Sequence, residues 1–148
     1  MAHDTASRAT PASFHWWPHA WAPCGFRLLV AMLIGVHGWY RLLEGGSPVF
    51  GAWLASQHVP LPLAVAWGVT TVEIIGSACL AAGVFVRPFA LLLIGIYLIG
   101  IAMVHAPAGW FVVGAGRNGM EFSVLLVGSL ALVGLRIRTP LWHAFRKE

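Results

Sequence analysis

The sequence predicts an all-α membrane protein, a four-helix bundle with its N- and C-termini cytoplasmic. Three observations predict it. Of the 148 residues, 59% are hydrophobic and 9% charged, with a mean hydropathy of +0.79, whereas a soluble domain carries about a quarter charged residues. Four long apolar runs alternate with short segments containing glycine and proline. Basic residues also fall unevenly on the links between those runs, as orientation in a bilayer requires.

Residues 1–22 contain no apolar stretch of the kind a cleavable signal peptide needs. They do carry Trp16, Trp17 and Trp21 with His15 and His19. Tryptophans just before a span form interfacial belts, so an irregular or interfacial arm is expected there. The membrane domain is expected over 23–136. Its first span runs from Cys24 to Leu43, with His37, Arg41 and Glu44 at i, i+4 and i+7 along one face near its end. Gly35 and Gly38 permit close approach of a neighbouring helix. Gly45, Gly46, Ser47 and Pro48 then break the helix. Residues 47–60 are expected as a connecting loop, in which Phe50, Trp53 and Leu54 form a short interfacial helix.

The second span is expected from Leu61 to Val86, with Pro62 in its first turn, where proline is tolerated. Arg87 and Pro88 make a tight turn, and Phe89 to Val104 is the third span, closed by His105, Pro107 and Gly109. A glycine-rich loop, 114–119, leads into the fourth span, Met120 to Leu135. Glu121 falls in its first turn, where the helix dipole favours negative charge. Residues 137–148 form a basic tail on the cytoplasmic surface.

Seven basic residues (Arg8, Arg27, Arg87, Arg136, Arg138, Arg146, Lys147) fall on one side of this arrangement and two, Arg41 and Arg117, on the other. The positive-inside rule then sets both termini in the cytoplasm. The links after the first and third spans face outward, and a bacterial cytoplasmic (inner) membrane is the expected location. With so few charges, the basic residues fit lipid anchoring and not nucleic-acid binding. Cys24 and Cys79 lie in or beside different runs and form no CxxC pair, so neither a disulfide nor a redox dithiol follows from them.

Glu73 is the one charge in the second run. At about 1.5 Å per residue it lies roughly 18 Å from Leu61, past the middle of a hydrocarbon layer about 30 Å thick. An ionisable group there is paired, protonated or functional. Thr70, Glu73 and Ser77 share a helical face that should point into the bundle. At the outer level stand His37, Arg41, His105, Arg117, Asn118 and Glu121 as its candidate neighbours. Taken singly, those rim residues also fit simpler roles: arginines that snorkel to headgroups, interfacial histidines and a helix-start carboxylate. Glu73 is too deep for that. His37, His105 and Glu121 have no HxxxH or ExxH spacing among them to support a metal site. A quinone site needs an apolar slot, donors near the ring carbonyls and a proton route. Glu73, Thr70 and His37 with Trp39, Tyr40, Trp67 and Tyr97 are the groups that fit it.

Arg27-Leu28-Leu29 followed by HGWYR (37–41), then VEIIGSACLAAGVFVRPFALLL (72–93) and NGMEFSVLL (118–126), resemble the DoxX family of small four-span membrane proteins. The resemblance covers about Gly25 to Leu135. Its most specific part is the second span, with Glu73, Gly76 and the Gly83 to Arg87 exit. Arg41 stands where that pattern usually has lysine, and a planar guanidinium binds differently from an ammonium. The resemblance implies a membrane-linked redox role, similar to the small subunit of a thiosulfate:quinone oxidoreductase. It would be a non-autonomous subunit using quinone, with a protein partner or a second copy in the bilayer. Glu73 would be the catalytic group, and His37, Arg41, Thr70, Glu121, Arg117 and His105 the ligand-binding ones. A non-catalytic scaffold for a redox enzyme and a small proton-coupled transporter are the alternatives.

Overall fold

The computed structural model describes residues 21–114 and 117–136. There the chain forms α1 (Trp21–Leu43), α2 (Gly46–Ser56), α3 (Pro62–Ala82), α4 (Val86–Gly100) and α5 (Glu121–Arg136). A π turn, Ile101–His105, and a 3-10 turn, Ala106–Ala108, continue α4, and there is no strand among the described residues. The greater parts of the expected N-terminal arm and the whole basic tail lie outside the described residues.

Ala22–Leu43, Pro62–Ala82 and Val86–Ala108 are each long and apolar enough to cross a bilayer, and Glu121–Leu135 is a shorter apolar helix. The protein is a multi-pass helical membrane bundle. α5 rises only about 24 Å at 1.5 Å per residue. The irregular segments before it, residues 109–114 and 117–120, fold back over its N-terminus, the Met120 and Glu121 N–H groups donating to the carbonyls of Gly109 and Trp110. The links after α1 and α4 lie at one end of the bundle, here the loop end. The α3–α4 turn, the start of α1 and the close of α5 lie at the other, the terminal end.

Three elements differ from expectation. The segment after α1 is a regular 11-residue helix that packs along α3, burying Ser47, Gly51 and Leu54. Its extent was hidden because its glycines, serines and proline read as loop residues, and Pro48 falls in the first turn, which needs no N–H. α3 stops at Ala82, four residues early, because Gly83 adopts φ 75°. The Val84 and Gly83 N–H groups then close on the carbonyls of Cys79 and Leu80, the Schellman ending that favours glycine. Arg87 and Pro88 are not the turn but lie in the first turn of α4, Phe85 being its cap.

The terminal end is filled by an apolar core of Val30, Ala31 and Ile34 from α1, Leu80 from α3, Ala90 and Leu93 from α4, and Leu126, Leu130 and Val133 from α5. Arg27, counted above as a surface anchor, is fully buried, with its guanidinium 3.9 Å from Cys24 Sγ. The charge bias between the two sides survives without it. α1 meets α3 through glycine: a Cβ on Gly35 would lie 3.0 Å from Ser77 Oγ, and one on Gly38 would lie 3.0 Å from Glu73 Cβ. Close backbone approach of this kind replaces hydrophobic drive between helices in lipid.

Candidate functional site

Thr70, Glu73 and Ser77 are all buried on one face of α3, as the 3.6-residue period requires. Glu73 is 2% exposed and sits about 16 Å into α3, counting eleven residues from Pro62. Its partner reaches down from α1: Arg41 Nη1 donates to Glu73 Oε2 at 2.7 Å. The same nitrogen lies 3.4 Å from Thr70 Oγ1. Tyr97, one helix further on, donates to Glu73 Oε1 at 3.3 Å.

The hydroxyl protons can be assigned. Thr70 Oγ1 donates to the Ala66 carbonyl at 2.9 Å, which uses its only proton, so Ser47 Oγ is the donor in their 3.1 Å contact. Ser47 thereby ties the first turn of α2 to the ion pair. Phe50, also on α2, covers the Arg41 guanidinium at 5.0 Å from its ring centroid and stacks on Trp53 at 6.0 Å. A cation over an aromatic face contributes about 0.5–2 kcal/mol, depending on desolvation. Arg41 is thus fixed by a carboxylate, a hydroxyl and a ring from two other helices.

Above this cluster the bundle opens. A cavity of about 700 Å³ is bounded by Val65 and Val69 of α3, Ile96, Ile99 and Met103 of α4 and its extension, and Phe122 and Leu126 of α5, with Phe50, Trp53 and Leu54 of α2. Arg41, Glu73, Tyr97 and His37 face it from one end, and His105, Arg117 and Asn118 also line it. An apolar chamber with a few convergent polar groups, within the usual range of about 300–1,000 Å³, is the form of a small-molecule site. Among the described residues, no group of three or more His, Cys, Asp or Glu could hold a metal ion.

The sequence-derived candidates distribute as follows. Glu73, Arg41 and Thr70 form one hydrogen-bonded cluster. His37 lies one residue from Gly38, which abuts Glu73 and Ile74, so it stands at the level of Glu73 and not at the rim. His105 and Arg117 line the cavity. Glu121 does not. Its Oε1 accepts from the Val112 N–H at 3.1 Å, while its own N–H donates to the Trp110 carbonyl at 3.0 Å. Trp39, Tyr40 and Trp67, expected near a ring ligand, are exposed on the outer surface. Tyr97 alone of those aromatics joins the cluster. Ser47 and Phe50 were missed as site residues; the apolar edge of the α2 segment was their only signal.

The fold-back loop depends on Gly119. A Cβ there would overlap the backbone carbonyls of Phe111 and Trp110, which receive no room from a flexible side chain. Gly119→Ala is expected to cost about 1–3 kcal/mol, as overpacking does. It should also speed amide hydrogen exchange at Val112, Met120 and Glu121. Unchanged exchange at those three amides would contradict the packing described.

The DoxX family model matches residues 22–106, more than half of the chain, from the second residue of α1 through the π turn. No curated protein and no solved structure matches.

Proposed function

The chain belongs to the DoxX family, and on that premise we propose that it is a membrane subunit of a quinone-linked redox system, holding a quinone in the cavity between its helices. The supporting observation is the pairing of a chamber of about 700 Å³ with a buried Glu73–Arg41–Tyr97 cluster facing into it. The residues present fit such a group: aliphatic and aromatic walls for the ring and tail, hydrogen-bonding groups at separate ends. A bound quinone supplies the electron-carrying chemistry, and a partner enzyme in the same membrane supplies the electrons. This chain's own residues bind and orient the ring. Tyr97 and Arg41 hold the Glu73 carboxylate in place, and its Oε1, engaged among the described residues by the 3.3 Å bond from Tyr97 alone, retains a lone pair for a proton moving to or from the ring. The setting is a bacterial cytoplasmic membrane, with the cavity towards the outer side.

Purification from quinone-replete cells tests this. Wild-type protein is expected to retain quinone by mass spectrometry of its extracted lipids. Glu73→Gln keeps the size of the side chain and one acceptor oxygen but removes its charge, so Arg41 loses its counter-ion and the floor loosens. Quinone occupancy should fall at least tenfold while helical content by circular dichroism stays the same. A quinone-free wild-type protein, or a Glu73→Gln variant that still fully replaces the wild type in a deletion strain, would overturn the proposal.

A further inference from the structure

One residue of the cavity wall carries a constraint that its neighbours lack. His105 Nδ1 lies 2.9 Å from the Asn118 carbonyl oxygen. A carbonyl oxygen only accepts, so Nδ1 is the protonated nitrogen. In the neutral ring Nε2 is then left with a lone pair and no hydrogen. Nε2 has no hydrogen-bond partner among the described residues, and the half-buried ring lines the cavity.

The backbone fixes this state. His105 closes the π turn Ile101–His105, a kind of irregularity that recurs at functional sites. Asn118 is held next to Gly119, whose Cα packs against the Trp110 and Phe111 backbone. Inverting the tautomer would forfeit the bond to Asn118. The hydroxyl at the other end is committed in the same sense. The proton of Tyr97 is spent on Glu73, so this group also offers a lone pair to the cavity it lines. Arg117 and the Asn118 amide bring donors to the His105 end, so a ring carbonyl is not rejected there. What His105 adds is a site for a donor.

We infer that His105 Nε2 accepts a hydrogen bond from a ring hydroxyl of the ligand, so that the cavity favours the dihydroxy, reduced form of a quinone-type ring over its dicarbonyl form. This rests on the reading of the cavity as a ring-ligand site given above. His105 would be a specificity-determining residue for the redox state of the ligand.

Two redox-inert probes separate the inference from that reading: 4-heptylphenol and its methyl ether, 4-heptylanisole, titrated calorimetrically into the protein in lipid nanodiscs. Wild-type protein is expected to bind the phenol about tenfold more tightly than the ether, the order of one good hydrogen bond. His105→Phe should bind the two alike. His105→Gln should keep part of the preference, since its amide can bridge to Asn118 and still present an oxygen. Equal binding of both probes by the wild type overturns the inference and leaves the ring-ligand reading standing. Binding of neither removes both. A preference that survives in His105→Phe and vanishes in Glu73→Gln assigns the hydroxyl to the inner carboxylate and also overturns it. If His105→Phe loses the ether as well, His105→Gln decides: a retained preference supports the inference and a lost one overturns it.

Discussion

Replacing Arg41 by methionine is expected to destabilise the bundle by about 3–5 kcal/mol, the cost of stranding one member of a buried ion pair. The two partners are not equivalent. Glu73 is 2% exposed and Arg41 22% exposed on their side chains, so removing the arginine leaves a carboxylate with nowhere to go. Removing the carboxylate leaves an arginine that can swing towards the cavity on its flexible stem. Arg41→Met also deletes the cation facing Phe50, loosening α2. Glu73→Gln should therefore cost distinctly less than Arg41→Met. The double variant Arg41→Met/Glu73→Leu should recover much of the loss, because an apolar pair of similar volume is often neutral or better. Unfolding free energies in mixed micelles would check the ordering. A costlier Glu73→Gln would mean that the carboxylate is held by something other than Arg41.

Gly38→Val is expected to cost about 3 kcal/mol or more, at the upper end of what overpacking does. Even one added carbon would lie 2.9 Å from Ile74 Cγ1 and 3.2 Å from the Ile74 backbone nitrogen. The nitrogen belongs to a packed helix and cannot yield, so α1 must move away from α3 at the level of Glu73. Arg41, one turn along α1, moves with it, and the 2.7 Å bond to Glu73 is strained or lost. The variant should thus lose both thermal stability and retained ligand. Gly128→Ala is the control. No atom lies within 4 Å of the added carbon there, and replacing glycine in a helix interior should stabilise by about 0.5–1 kcal/mol.

The spans and the central residue of the site could be read from the sequence for one physical reason: in lipid, apolar length and misplaced charge are both costly to fake. Glu73 stood out against an otherwise apolar run, and Arg41 lay on a polar face of the preceding one. The α2 segment could not be read in the same way. Its role depends on Ser47 meeting Thr70, 23 residues away, and on Phe50 covering Arg41, neither of which has a local periodic signal. Gly83 was visible, but only its positive φ shows that it ends α3. Trp39, Tyr40 and Trp67 have side chains suited to a ring ligand, yet Trp67 lies about 120° around α3 from Glu73, at about 100° per residue. Composition near a site does not place a residue on the right face.

The order in which the ion pair's members occur along the chain also matters for biogenesis. Arg41 precedes Glu73 by 32 residues, and α1 and α2 both pack on α3. During synthesis from the N-terminus, the cation and the hairpin that carries it have already emerged when the acidic segment leaves the ribosome. The costliest residue in the chain can enter the bilayer already neutralised, without waiting for Tyr97 and the second half of the protein. Membrane insertion of α3 should then depend on its predecessor, whereas α4, which carries no acidic residue, can insert unaided.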